Sequence, residues 1–233
     1  PLTCEPVSQL SACPEYLSLT GLRCELDVPT RIVAIDEVLA ILPGSRSSEI
    51  AYITQPFFEA AALVRKARPA IKLIVPAVPA LRERIVQAAQ AAGLGGVVQI
   101  VSGQSHAVLA ACDTTLIASG TATLEAALFK RPMVIGYHMH PLSWWLMRRK
   151  QLQPWVGLPN ILCGDFVVPE LIQDAATPQA LCAATLQWLD ARQHHPEKIT
   201  ALEQRFTALH ESLRRNTPQL AADAIQKILR PAA

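Results

Sequence analysis

Aromatic side chains make up only 5% of this 233-residue chain, and charged ones only 17%. With so few rings the core has to be built from Ala, Leu, Val and Ile. The 51% apolar content suffices for one full α/β domain with a tail, or for two small domains. The charges nearly cancel, to a net +2, and no run of Lys or Arg forms a binding tract, so composition argues against nucleic acid as a partner. Long apolar runs are missing too: none spans a bilayer, and the start of the chain has no secretory pattern. Pro1 stands where Met would open a gene product, so the chain reads as a piece or a processed product. The six cysteines, Cys4, Cys13, Cys24, Cys112, Cys163 and Cys182, form no CxxC or CxxxH pair. That argues against structural zinc and suits the reduced thiols of a cytoplasmic protein. His138 and His140 flank Met139 with no third ligand at a useful spacing, and no metal or other cofactor is expected. Neither the Gly-x-Gly-x-x-Gly of dinucleotide folds nor the Gly-Lys-Ser/Thr ending of a Walker A loop occurs.

What the chain does have is rhythm. Residues 1–37 carry Pro6, Pro14, Gly21 and Pro29 without a sustained period and read as an irregular lead-in, with one short helix near residues 15–22. From residue 38 onward, apolar runs alternate with amphipathic stretches. Strands are predicted over 38–42, 71–75, 97–101, 115–118 and 133–136, and helices over 48–68, 79–92, 105–112 and 122–129. Pro56, inside the first of these helices, predicts a kink or a broken first turn. This βαβα spacing specifies an α/β fold with a doubly wound parallel sheet, placed in a domain of residues 38–233. Past Gly136 the rhythm changes to an unusually apolar helix over 141–150 and a loop over 151–164 containing Pro154, Gly157 and Pro159. Residues 169–229 read as a helical carboxyl-terminal extension, with helices over 178–190, 196–213 and 218–229.

Two loops carry the chemistry. Pro43-Gly44-Ser45-Arg46 leaves the first strand and Ser119-Gly120-Thr121 leaves the fourth, each running into a helix. Open α/β sheets bind ligands at such strand ends. Gly44 lets the backbone approach a ligand, the amides from Ser45 onward open a helix, and Arg46 adds a charge that suits phosphate. A plain strand-to-helix turn would use the same residues, with Ser47 or Ser48 as N-cap and Glu49 in the first turn. In the second loop Ser119, Gly120, Thr121 and Thr123 crowd small donors around a helix start. With Thr121 as N-cap, Glu125 falls in the first turn, where a carboxylate accepts two ribose hydroxyls or simply complements the helix dipole. Asn160, set by Pro159, suits a ligand contact or an ordinary turn. His106 sits on a strand-end loop, where it lines the same pocket or serves its helix as a cap. Trp144, Trp145, Leu146 and Met147, followed by Arg148, Arg149 and Lys150, suit a membrane interface, a lipid cleft or packing against a further domain. A phosphate loop beside a hydroxyl-binding loop asks for a nucleotide or a nucleotide-sugar.

In their order, LPGSR, SGTATLE, the stretch Met133-Val134-Ile135-Gly136-Tyr137 and LPN resemble the carboxyl-terminal half of the lipid-A-disaccharide synthase family. These are glycosyltransferases of the two-Rossmann-domain, GT-B type, and the likeness runs from about residue 41 to residue 229. It implies a Rossmann-like, UDP-sugar-binding domain with UDP-2,3-diacylglucosamine as donor and 2,3-diacylglucosamine 1-phosphate as acceptor. The products would be UDP and a β-1,6 disaccharide of inverted configuration. By the same resemblance Gly44, Ser45 and Arg46 hold the diphosphate, with Arg46 stabilising the leaving group. Ser119, Gly120 and Thr121 belong to the substrate site, Glu125 grips the ribose, and Asn160 touches the diphosphate or the sugar. Trp144 and Trp145 look like part of a surface that meets acyl chains or the inner membrane from the cytoplasm. The family's amino-terminal acceptor half, with its proposed carboxylate base, has no counterpart before residue 38. The chain alone is therefore expected to bind UDP and not to catalyse, and its bared apolar surface favours association such as a homodimer. Other UDP-sugar GT-B enzymes, such as cell-wall glycosyltransferases and epimerases, share the architecture without the LPGSR and SGTATLE pair. A non-catalytic nucleotide-binding module is the remaining alternative.

Overall fold

The computed structural model describes residues 37–150 and 153–229. The lead-in, with the short helix read near residues 15–22, lies outside the described residues apart from Glu37. The first part alternates regularly: β1 (Val38–Leu42), α1 (Ser47–Ala67), β2 (Lys72–Ala77), α2 (Arg82–Ala91), β3 (Val98–Ser102), α3 (Ser105–Ala111), β4 (Thr114–Ala118), α4 (Thr121–Leu128) and β5 (Met133–Tyr137). There follow α5 (Pro141–Lys150), α6 (Leu158–Cys163), β6 (Glu170–Ile172), α7 (Pro178–His194), α8 (Pro196–Leu213) and α9 (Thr217–Leu229).

Among the described residues six strands pair in parallel, in the order β3-β2-β1-β4-β5-β6. The chain starts in the middle, winds out to β3, then crosses back to build the other half. β1 and β4 therefore lie side by side, with Leu42 opposite Ile117, and the reversal opens a crevice beyond their carboxyl ends. Strand side chains alternate between two covered faces. Leu39 and Ile41 join Ile53, Phe57 and Phe58 of α1 and Leu181 of α7, while Val38, Ala40 and Leu42 join Leu109, Ala126 and Phe206 of α3, α4 and α8. Burial on both faces is why β1 reads as an unbroken apolar run rather than an alternating one. Gly136 of β5 is a point of close approach: a Cβ there would collide with the Phe57 ring, so α1 rests on bare strand backbone.

At the opposite, amino-terminal edge of the sheet, the buried Asp113 carboxylate accepts from the Val38 amide at 2.8 Å and pairs with Arg192 of α7 at 3.1 Å. This ties the start of the central strand to the helix that crosses it.

Three sequence expectations change. Helix α1 runs unbroken through Pro56, because Phe57 and Phe58 beside it are fully buried and hold it to the sheet despite one missing hydrogen bond. The expected loop over 151–164 contains α6. Gly157 is its N-cap, Pro159 sits in its first turn, where a missing N–H costs nothing, and Gly164 closes it at φ 63°. The stretch read as helical from 169 opens instead with β6, whose three residues pair with the edge of β5. A strand that short has no readable period. Helix α9 has no buried residue, and Leu220, Ile225, Ile228 and Leu229 stand exposed on it.

Candidate functional site

A cleft of about 510 Å³ lies beyond the carboxyl ends of β1, β2, β3 and β4. Its floor is the crevice between β1 and β4, and both loops singled out in the sequence line it. From the first loop come Gly44, Ser45 and Arg46, and from the second Ser119, Gly120, Thr121 and Glu125. The segment entering α6 adds Val156 and Leu158 as an apolar wall.

The first loop turns at Gly44, whose φ of 110° is open to glycine and strained for other residues. Arg46, not Ser47 or Ser48, is the N-cap of α1, in extended conformation. Its side chain is largely solvent-exposed and pairs with Glu49. Glu49 reaches back over this loop, accepting from the Ser45 amide at 3.0 Å, the Arg46 amide at 3.2 Å and Arg46 Nη1 at 3.2 Å.

In the second loop the N-cap of α4 is Gly120 rather than Thr121. Thr123 is fully buried, and its hydroxyl donates to the Gly120 carbonyl at 2.7 Å, while the Ser119 hydroxyl donates to the Val156 carbonyl at 3.2 Å. Glu125 therefore lies in the second turn of α4, not the first, and dipole compensation does not account for it. Its partly exposed carboxylate faces the cleft and meets His106 Nε2 of α3 at 3.4 Å. The His106 ring leans on Phe129, so the histidine braces Glu125 from the side.

Asn160 is the residue whose placement differs most from its sequence reading. It is fully buried, behind the cleft wall. Its Nδ2 donates to the Val168 carbonyl and to Glu170 Oε1, both at 2.8 Å, and its Oδ1 accepts from the Val167 and Val168 amides at 2.9 and 3.0 Å. An Asn amide has two donors and accepts along two lone pairs, so nothing is left for a ligand. Glu170 in turn accepts from the Val156 and Gly157 amides at 2.8 and 2.9 Å. Asn160 thus positions the wall and does not itself reach into the cleft.

The sequence reads Glu49 only as a helix-start residue, and the structure places it in the cleft lining. Tyr137, at the end of β5, lies outside the residues that line the cleft; burial first, then the Glu49 carboxylate, pushes its phenol above the ordinary value, with Arg46 opposing. Beside it His138 stacks on Tyr52 of α1 with ring centroids 5.6 Å apart. Among the described residues no cluster of His, Cys, Asp and Glu is arranged to hold a metal ion.

Trp144 and Trp145 lie on α5, outside the residues that line the cleft. Trp145 and Leu146 are each 51% exposed, and the Arg149 guanidinium sits 3.7 Å over the Trp145 ring. This gives a short apolar ridge edged by cations. Among the described residues no helix is long and apolar enough to cross a membrane.

The chain is 79% identical over 196 residues to a lipid-A-disaccharide synthase of Verminephrobacter eiseniae, which covers 84% of this chain and 50% of that relative. A lipid-A-disaccharide synthase of Albidiferax ferrireducens is 70% identical over 194 residues, covering 83% of the chain and 50% of the relative. The chain thus spans about half the length of the curated relatives it matches. Among solved structures, the crystal structure of TarM superposes with a TM-score of 0.52 at 13% identity, over 82% of this chain and 34% of TarM, a likeness of fold alone. The strand order β3-β2-β1-β4-β5-β6 is that of a Rossmann-like, doubly wound parallel sheet. The family profile described as lipid-A-disaccharide synthetase matches residues 27–225, and the chain belongs to that family.

Proposed function

We propose that this chain is the carboxyl-terminal, donor-binding half of a lipid-A-disaccharide synthase, a hexosyltransferase that moves a diacylglucosamine from UDP to diacylglucosamine 1-phosphate with inversion. The observation that carries the reading is the meeting of two chemically different loops across one cleft at the β1/β4 reversal. The first supplies the Ser45 and Arg46 amides and the Arg46 guanidinium, a seat for the diphosphate. The second supplies Ser119, Gly120 and Thr121 at a helix start, and Glu125 to accept the ribose hydroxyls. As the sugar leaves, charge builds on UDP, and the first loop's amides and Arg46 are the donors that would meet it, which is where electrostatic stabilisation is most effective. Asn160 acts through the wall it holds. Inversion also needs a base for the acceptor hydroxyl, and the base belongs to the amino-terminal half.

The test is calorimetric titration of UDP into the chain, with Arg46→Ala and Glu125→Ala alongside. Saturable binding is expected, weakened about tenfold or more in each variant, the loss of one charge-assisted contact. The same preparation should form no disaccharide. A folded chain that ignores UDP, or one that makes the disaccharide by itself, overturns this assignment.

The ridge on α5 fits the acyl-bearing substrates of this reaction: apolar Trp145 and Leu146 edged by Arg148 and Arg149 suit the surface of the inner membrane, approached peripherally from the cytoplasm. Trp145→Ser combined with Leu146→Ser should lower co-sedimentation with anionic vesicles severalfold and leave UDP binding unchanged. Equal sedimentation of variant and parent would remove α5 from the membrane-facing surface.

A further inference from the structure

We infer that Glu49 is an internal competitor for the diphosphate seat, a carboxylate that fills the anion site when it is empty and must swing out before a nucleotide enters. This rests on the donor-site reading and adds to it a residue that controls how tightly, and for how long, the diphosphate is held.

The geometry is specific. Glu49 Oε2 takes the Ser45 and Arg46 amides at 3.0 and 3.2 Å, and Oε1 takes Arg46 Nη1 at 3.2 Å. Those two amides and that guanidinium are the groups a diphosphate would need. A Cβ on Gly44 would collide with the Glu49 carboxylate, so the open space that glycine creates beside the loop is already filled by this side chain. The Arg46 side chain is 79% exposed and that of Glu49 only 17%, so the carboxylate lies against the loop with the arginine folded over it from outside.

A carboxylate tethered to the same helix competes at high effective concentration, and it carries the same sign of charge as the ligand it displaces. A diphosphate brings more charge and more acceptor oxygens than a single carboxylate, so it can win; a weak monoanion wins less readily. When sugar transfer leaves UDP in the cleft, the return of Glu49 to the amides helps UDP depart. In the empty protein the same contact keeps the loop amides and Arg46 satisfied.

The ordinary alternative is that Glu49 merely braces the loop, and it predicts the opposite sign. Affinities of UDP, pyrophosphate and uridine are measured calorimetrically on the parent chain, Glu49→Gln and Glu49→Ala, with circular dichroism melts confirming that each is folded. If Glu49 competes, UDP and pyrophosphate bind more tightly in both variants, by about tenfold in Glu49→Ala and less in Glu49→Gln, which keeps an acceptor but loses the charge. Uridine, which has no phosphate, is unchanged. Unchanged or weaker UDP and pyrophosphate binding in folded variants overturns the inference. Failure of the donor-site reading looks different: UDP then binds no better than pyrophosphate to any form, while the Glu49 variants still gain affinity for pyrophosphate. Absence of binding by every form to every anion overturns both.

Discussion

Replacing Asn160 with alanine is expected to destabilise the fold by about 3–4 kcal/mol, toward the upper end of what one substitution does. The side chain is fully buried and makes four hydrogen bonds, and truncation removes all of them at once. The Val168 amide and carbonyl are then left in a dry environment without the partner that satisfied them. Glu170 loses one of the three donors that hold its carboxylate, which strains its remaining bonds to the Val156 and Gly157 amides. Asn160→Asp keeps the size but turns the donating end into an acceptor facing the Val168 carbonyl and Glu170, so it should fare no better. Urea unfolding checks both variants. A loss under 1 kcal/mol would mean that the wall stands without Asn160. Because Val156 and Leu158 belong to that wall, UDP affinity should fall as well, without any lost contact to the nucleotide.

Phe57→Ala is expected to cost about 3–5 kcal/mol, the range for deleting a buried ring. The ring is fully buried in the α1 face of the core and rests directly on Gly136 of β5. Alanine leaves a cavity between helix and strand that neither can close alone, since α1 is also held by Ile53, Phe58 and Val64. α1 follows directly on the cleft-lining loop of Gly44, Ser45 and Arg46, so its seating on β5 also sets where Arg46 can reach. Urea denaturation gives the energy, and a UDP titration of the folded variant gives the coupling. A loss near 1 kcal/mol with unaltered UDP affinity would show that α1 is anchored elsewhere. The reverse change, Gly136→Val, probes the same contact from the strand side and should also destabilise, by overpacking.

Local pattern was enough for a large part of the molecule. Five strands and the helices between them follow from apolar runs alternating with amphipathic stretches, and burial on both faces of the sheet is what makes those runs continuous. The two loops were legible as small, glycine-containing strand-to-helix junctions at the carboxyl ends of strands, and the family resemblance rested on the same letters.

Other features depend on neighbours distant in the chain. β6 exists because β5 offers a free edge, and three residues carry no period of their own. α6 was hidden among Pro and Gly signals that announce a turn and also cap a short helix. Asn160 changed from a ligand contact to a buried keystone because Val167, Val168 and Glu170 fold back over it, which no spacing of residues discloses. Glu49 has the same local reading whether it only caps a helix or also lines a cleft; the tertiary position of its loop at the mouth of the cleft puts it there. The sequence by itself determined the strand and helix alternation and which residue types stand at the strand ends. The tertiary structure decided which strand ends adjoin, because β1 and β4 pair across 75 residues of chain, as the bond from the Val38 amide to Asp113 records, and only that pairing brings the two loops together.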